Sequence, residues 1–144
     1  MTYSGRQLDR QFHSATEHAN ATNLLPMVVY LRDLFARNGP HLEHFHAIFL
    51  DQQQRYINDI TLGSGNQAEV SLRMRSLFAY ALQLDARVLV VAHNHPSGHC
   101  QPSACDIVST KQIEHFARAV DIKLLDHLIV TPHRAYSMRA GGHL

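Results

Sequence analysis

Residues 87–106 read Arg-Val-Leu-Val-Val-Ala-His-Asn-His-Pro-Ser-Gly-His-Cys-Gln-Pro-Ser-Ala-Cys-Asp. The first six, 87–92, carry the apolar run Val88–Ala92 with β-branched residues, the pattern of a central strand buried on both faces. Pro96, Gly98 and Pro102 make His93 to Pro102 a loop. Ser103-Ala104-Cys105-Asp106 then carries the S-x-x-D pattern that opens helices, and a helix is predicted over 104–120.

Outward from this stretch, the upstream chain supplies two helices and a hairpin. A helix is expected over 24–37, with Pro26 in its first turn and Leu24, Met27, Val28, Leu31, Leu34 and Phe35 on one stripe. Asn38-Gly39-Pro40 ends it. Glu43–Leu50 and Arg55–Leu62 read as two strands around the turn Asp51-Gln52-Gln53-Gln54, closed by Gly63-Ser64-Gly65-Asn66. A helix over 68–84 places Val70, Met74, Leu77, Phe78 and Ala81 inward. Downstream, Ile122–Val130 and Ala135–Met138 are the last strands, with 131–134 as their turn. The order α-β-β-α-β-α-β-β gives an α/β (α+β) fold, a mixed sheet flanked by helices.

The chain has 144 residues, 45% hydrophobic and 17% charged, enough for one domain with its own core. Residues 1–22 are polar and without periodicity and are read as a tail, leaving 23–144 as the single domain. The apolar run at 88–92 falls far short of the roughly 20 residues of a membrane span, and the N-terminus lacks a signal-peptide pattern. With only Cys100 and Cys105, no disulfide framework is expected, and a reducing cytoplasmic location is the default. A net charge of +1 without a basic run argues against strong autonomous nucleic-acid binding. Twelve His make the net charge strongly pH-dependent between about 5 and 7.

The chemistry is concentrated in the same stretch. His93 and His95 share a face if strand geometry persists that far, and Asp106 lies in the first turn of the next helix. Two imidazoles and a carboxylate leave a fourth position for water, the donor set of a catalytic zinc rather than a closed structural one. The competing reading is a plain capping box at Ser103/Asp106. A second His-x-His, His44/His46, is read as strand residues without a ligand role. Asp126 and His127 face opposite ways on a strand; one of them could orient a ligand His, while Asp126 could equally be surface. Cys105 is read as a small buried residue, His99 and Cys100 as exposed loop residues.

The string His-x-His, seven residues, Ser, two residues, Asp resembles the JAMM motif of MPN+ (JAB) metallopeptidase-like domains. Ala92–Gly98 (AHNHPSG), Phe45–Asp51 (FHAIFLD), Leu125–Val130 (LDHLIV) and Tyr136-Ser137 resemble, more narrowly, the bacterial RadC family. The resemblance covers about residues 24–140. It implies an MPN/JAB-like fold similar to the cytidine deaminase-like architecture, and one Zn²⁺ per chain on His93, His95 and Asp106. It implies further that Glu43, one of four Glu, moves protons for a metal-activated water, and that Ser103 donates to the developing oxyanion. The implied activity is hydrolysis of a peptide, isopeptide or related amide bond in a peptide or protein substrate. Two departures are visible: residues 1–22 leave no room for the helix-hairpin-helix region usual in RadC proteins, and Val70–Met74 (VSLRM) lacks the usual proline.

Two other classes compete. A zinc deaminase needs H-x-E and P-C-x-x-C, but His95 stands where its Glu belongs and Pro102–Asp106 lacks its cysteines' pattern. The alternative is a non-catalytic module of the RadC family, associated with DNA repair or with binding a partner.

Overall fold

The computed structural model describes residues 24–64 and 70–144. The expected tail at 1–22, the close of the hairpin at Gly65-Asn66 and the helix start at 68–69 lie outside the described residues.

Helix α1 spans Leu25–Arg37, with Pro26 in its first turn, where a missing N–H costs nothing. It buries Met27, Val28, Leu31 and Phe35 as expected, and also Tyr30. Gly39 takes φ +102, a left-handed turn that suits a residue without Cβ. Strands β1 (His44–Leu50) and β2 (Tyr56–Ser64) form an antiparallel hairpin. The Asp51 carboxylate accepts from the Gln53 and Arg55 amides in the turn, each at 2.9 Å. Helix α2 (Val70–Gln83) leads to β3 (Val88–Asn94), helix α3 (Ala104–Ala119), and strands β4 (Lys123–Val130) and β5 (Ala135–Ser137).

The five strands form one mixed sheet, ordered β2-β1-β3-β4-β5. β1 pairs antiparallel with both β2 and β3, β3 pairs parallel with β4, and β4 pairs antiparallel with β5. The expected sheet flanked by helices is what the chain forms. β3 is buried along its whole length because helices cover both faces. Val88, Val90 and Ala92 pack with α1, Ile48 and Leu128, while Leu89 and Val91 pack with Leu77 of α2 and Ile113 of α3.

The boundaries differ from expectation where partners extend or cut a strand. β3 runs on through His93 and Asn94 because Phe45 pairs with His93 and Val130 with Asn94, so these two residues are strand rather than loop. β1 begins at His44, leaving Glu43 just before it. β2 continues to Ser64, which pairs with His44. β5 ends at Ser137, one residue early.

Candidate metal centre

The alternation of β3 decides where the chemistry lies. Leu89 and Val91 face α2 and α3, so His93 faces them too, 8% exposed. His95 follows the strand, where its amide donates to Val130 O at 3.4 Å. Gly98, at φ +85, then reverses the chain and donates its amide to His95 O at 3.1 Å. Helix α3 begins at Ser103, whose Oγ accepts from the Asp106 amide at 3.1 Å while the Asp106 carboxylate accepts from the Ser103 amide at 2.8 Å. The capping box is therefore formed. It does not compete with the site: it aims the Asp106 carboxylate, whose oxygens lie 3.2 Å from His93 Nε2 and 3.2 Å from His95 Nε2.

The two Nε2 atoms are 2.9 Å apart, and the three side chains offer donor atoms within 4.8 Å of one another. Among the described residues this is the one such His/Cys/Asp/Glu group. Donors at about 2.0–2.2 Å from a tetrahedral zinc stand some 3.3 Å from each other, close to the spacing here.

Hydrogen bonds further out determine which ring nitrogens carry protons. Thr110 Oγ1 donates its one proton to the Asp106 carbonyl at 2.6 Å. It can therefore only accept from His127 Nδ1, 2.6 Å away. His127 is wholly buried, and burial followed by the proximity of His93 holds its pKa well below the usual range, so the ring is neutral. A neutral ring with its proton on Nδ1 has a bare Nε2, which accepts from His93 Nδ1 at 2.7 Å. In its neutral form His93 then presents Nε2 to the cluster without a proton. His95 reaches the same state because its Nδ1 donates to His99 O at 2.7 Å. Two imidazole lone pairs and a carboxylate turned on one point repel one another unless a cation sits among them. The donor set thus fits a divalent metal. For Asp106, burial opposes ionisation, but the His93 ring in its charged form and the bonds from Ser103 hold its carboxyl well below the usual carboxylate range.

Of the strand neighbours Asp126 and His127, the structure brings only His127 to the cluster. Asp126 is not surface: it is 1% exposed and accepts from Ser137 Oγ and from the amides of His127 and Arg139. Burial pushes its carboxyl up despite those bonds. Cys105 corrects the sequence reading, being exposed rather than buried, because it lies in the first turn of α3 at the rim of the cavity. His99 is exposed and contributes its carbonyl, and Cys100 is half-buried.

Glu43 is exposed, and it lines the same cavity of about 420 Å³ as His93, Asp106 and His127. What holds it there is Asn94, a residue the sequence reading passed over. The Asn94 Oδ1 accepts from the His44 amide at 2.6 Å and its Nδ2 donates to Leu42 O at 2.8 Å, so one buried side chain grips the backbone on both sides of Glu43. Thr110 was also missed. Its i−4 bond to Asp106 O is invisible in sequence, although the spacing Asp106/Thr110 on a predicted helix is the available signal.

A family model described as a RadC-like JAB domain matches residues 21–143. A UPF0758 protein of Rhodobacter capsulatus is 41% identical over 102 residues, 71% of this chain and 48% of its own length. One of Bordetella avium is 41% identical over 101 residues, 70% of this chain and 45% of its own. One of Acinetobacter baumannii is 35% identical over 132 residues, 92% of this chain and 54% of its own. The chain spans about half the length of these curated relatives. With a match running over nearly all of the described strands and helices, the chain belongs to the RadC-like JAB domain family.

Proposed function

We propose that this domain is a zinc-dependent hydrolase of the JAMM type, acting on a peptide, isopeptide or related amide bond. The observation that carries this reading is the convergence of His93 Nε2, His95 Nε2 and the Asp106 carboxylate on one point. A zinc ion held by these three residues supplies Lewis acidity, lowering the pKa of a water from 15.7 to about 7.

The remaining steps fall to the chain's own groups. Glu43, on the wall of the same cavity, takes the proton of the attacking water on its carboxylate and returns it to the leaving nitrogen. Asn94 keeps the Glu43 backbone in register with His93, so that little orientation remains to be lost on the way to the transition state. Ser103 Oγ accepts from the Asp106 amide, and its hydroxyl turns from the Asp106 carboxylate to donate to the substrate carbonyl oxygen as charge develops there. His127 and Thr110 hold the His93 ring in the tautomer that presents Nε2.

The test has two parts. Elemental analysis of the chain purified with zinc supplied is expected to give about one zinc per chain, both for wild type and for Glu43→Gln. A panel of fluorogenic peptide and isopeptide substrates is then expected to be cut by wild type and about 10²-fold more slowly by Glu43→Gln, the scale that general acid–base catalysis supplies. Absence of zinc overturns the hydrolase reading in favour of a non-catalytic partner-binding module. Undiminished hydrolysis by Glu43→Gln removes Glu43 from the mechanism.

A further inference from the structure

We infer that the groove between α2 and α3 receives a bulky apolar side chain beside the bond that is cut, so that the substrate carries phenylalanine, leucine or methionine next to the scissile amide. This rests on the hydrolase reading above and names the substrate class of the same site. The cavity that holds Glu43, His93 and Asp106 extends away from them between the two helices. Its volume of about 420 Å³ lies at the small end of ligand pockets, which run from about 300 to 1,000 Å³. That accommodates one large side chain and its amide, not a folded partner.

The walls explain both the space and its preference. Phe45 of β1 and Met74 and Leu77 of α2 form one side. The α3 part of the lining begins with short side chains, Ala104, Cys105 and Ser109, which leave room beside Met74 and Leu77. Ile113, 3% exposed, forms part of the lining, and Val108, 55% exposed, offers an apolar surface near solvent. The groups that recognise an amide stand at the metal end, and the walls beyond are mainly apolar. Arg73 and Gln112 also line these walls, so a basic side chain entering there would lose its hydration and meet the Arg73 charge, whereas an apolar one gains by burial.

Two zinc-binding probes that share one chelating group test this without requiring turnover: acetohydroxamate and 3-phenylpropanohydroxamate, titrated calorimetrically into the zinc-loaded chain. The phenyl probe is expected to bind at least about tenfold more tightly, the scale at which an apolar pocket discriminates. Ser109→Leu, which fills the groove, and Val108→Asp, which charges its exposed wall, are expected to bring the ratio of the two affinities below about twofold. Val108 is exposed, so its variant tests the groove without burdening the core. Equal affinities in wild type, or a phenyl preference that survives both substitutions, overturn the groove as the side-chain site and leave the metal centre standing. If neither probe binds a chain that carries zinc, the accessible catalytic centre of the preceding reading fails, and this inference fails with it.

Discussion

The chain contains His-x-His twice on neighbouring strands, and only one pair becomes a donor set. His44-Phe45-His46 lies on β1 and His93-Asn94-His95 at the end of antiparallel β3, His95 just past it, with Phe45 opposite His93. His46 spends both ring nitrogens on its own hairpin, Nδ1 at 2.9 Å from Thr61 Oγ1 and Nε2 at 2.6 Å from Asp59. Asp59 also accepts from the hydroxyls of Tyr30 and Tyr56. His44 turns aside to Gly39 O and stacks on Phe35. In the second pair each Nδ1 is engaged outward and each Nε2 faces Asp106. Both clusters unite imidazole and carboxylate. The first is a closed clasp joining α1 to β1 and β2, and the second is open toward one point. Spacing supplies the residues, but the partners of the outer nitrogens decide whether a metal has anything to bind.

The largest effect that would break this comparison is metal loss. His93→Ala or Asp106→Ala is expected to abolish stoichiometric zinc, whereas His46→Ala keeps it, as read by elemental analysis at equal protein concentration. Zinc lost only in His46→Ala reverses the assignment of the two clusters. Stability is expected to sort the other way. Asp59→Ala removes the acceptor shared by two tyrosine hydroxyls and an imidazole, and chemical denaturation is expected to show a loss of about 2–3 kcal/mol with zinc retained.

Acid sharpens the contrast. Burial opposes ionisation of Asp59, but the hydrogen bonds from His46, Tyr30 and Tyr56 hold its carboxyl below the usual value. A depressed folded pKa stabilises the fold above the unfolded value of about 3.9, and that stability is lost as pH falls through the folded pKa. The Asp59→Asn variant is expected to lose less melting temperature than wild type between pH 5 and 3. A parallel decline in both proteins excludes Asp59 as a source of the acid sensitivity.

A finer effect separates positioning from folding. Thr110→Val removes the acceptor of His127 Nδ1–H, so zinc affinity measured by chelator competition is expected to fall about 10- to 100-fold, with Thr110→Ser restoring it. Equal weakening in both variants makes Thr110 a packing residue only. The smallest effect is at Ser103→Ala, expected to cost about 1 kcal/mol through loss of the α3 cap.

Much of the fold and of the donor set is legible in the residues alone. The apolar run at 88–92 marks the central strand, and the two helix stripes mark the layers that cover it. His93, His95 and Asp106 follow from residue type and spacing, because a strand end and a helix start joined by one short loop have few ways to lie apart. The reach of β3 through Asn94 is not legible, since it depends on pairing with Phe45 and Val130. Nor is the exposure of Cys105, which depends on the face that α3 turns to the sheet.

By itself, the sequence determined the order of strands and helices, the donor residues and the cap, because each is encoded within a few neighbouring positions. Only the tertiary structure decided which His-x-His stays open, which side chain grips Glu43 and which ring nitrogen is bare. Those outcomes rest on hydrogen bonds between residues 15 to 50 apart, Thr61 with His46, His127 with His93 and Asn94 with His44. Such bonds exist only once strand register has brought the partners within 3 Å, and register is a property of the assembled sheet.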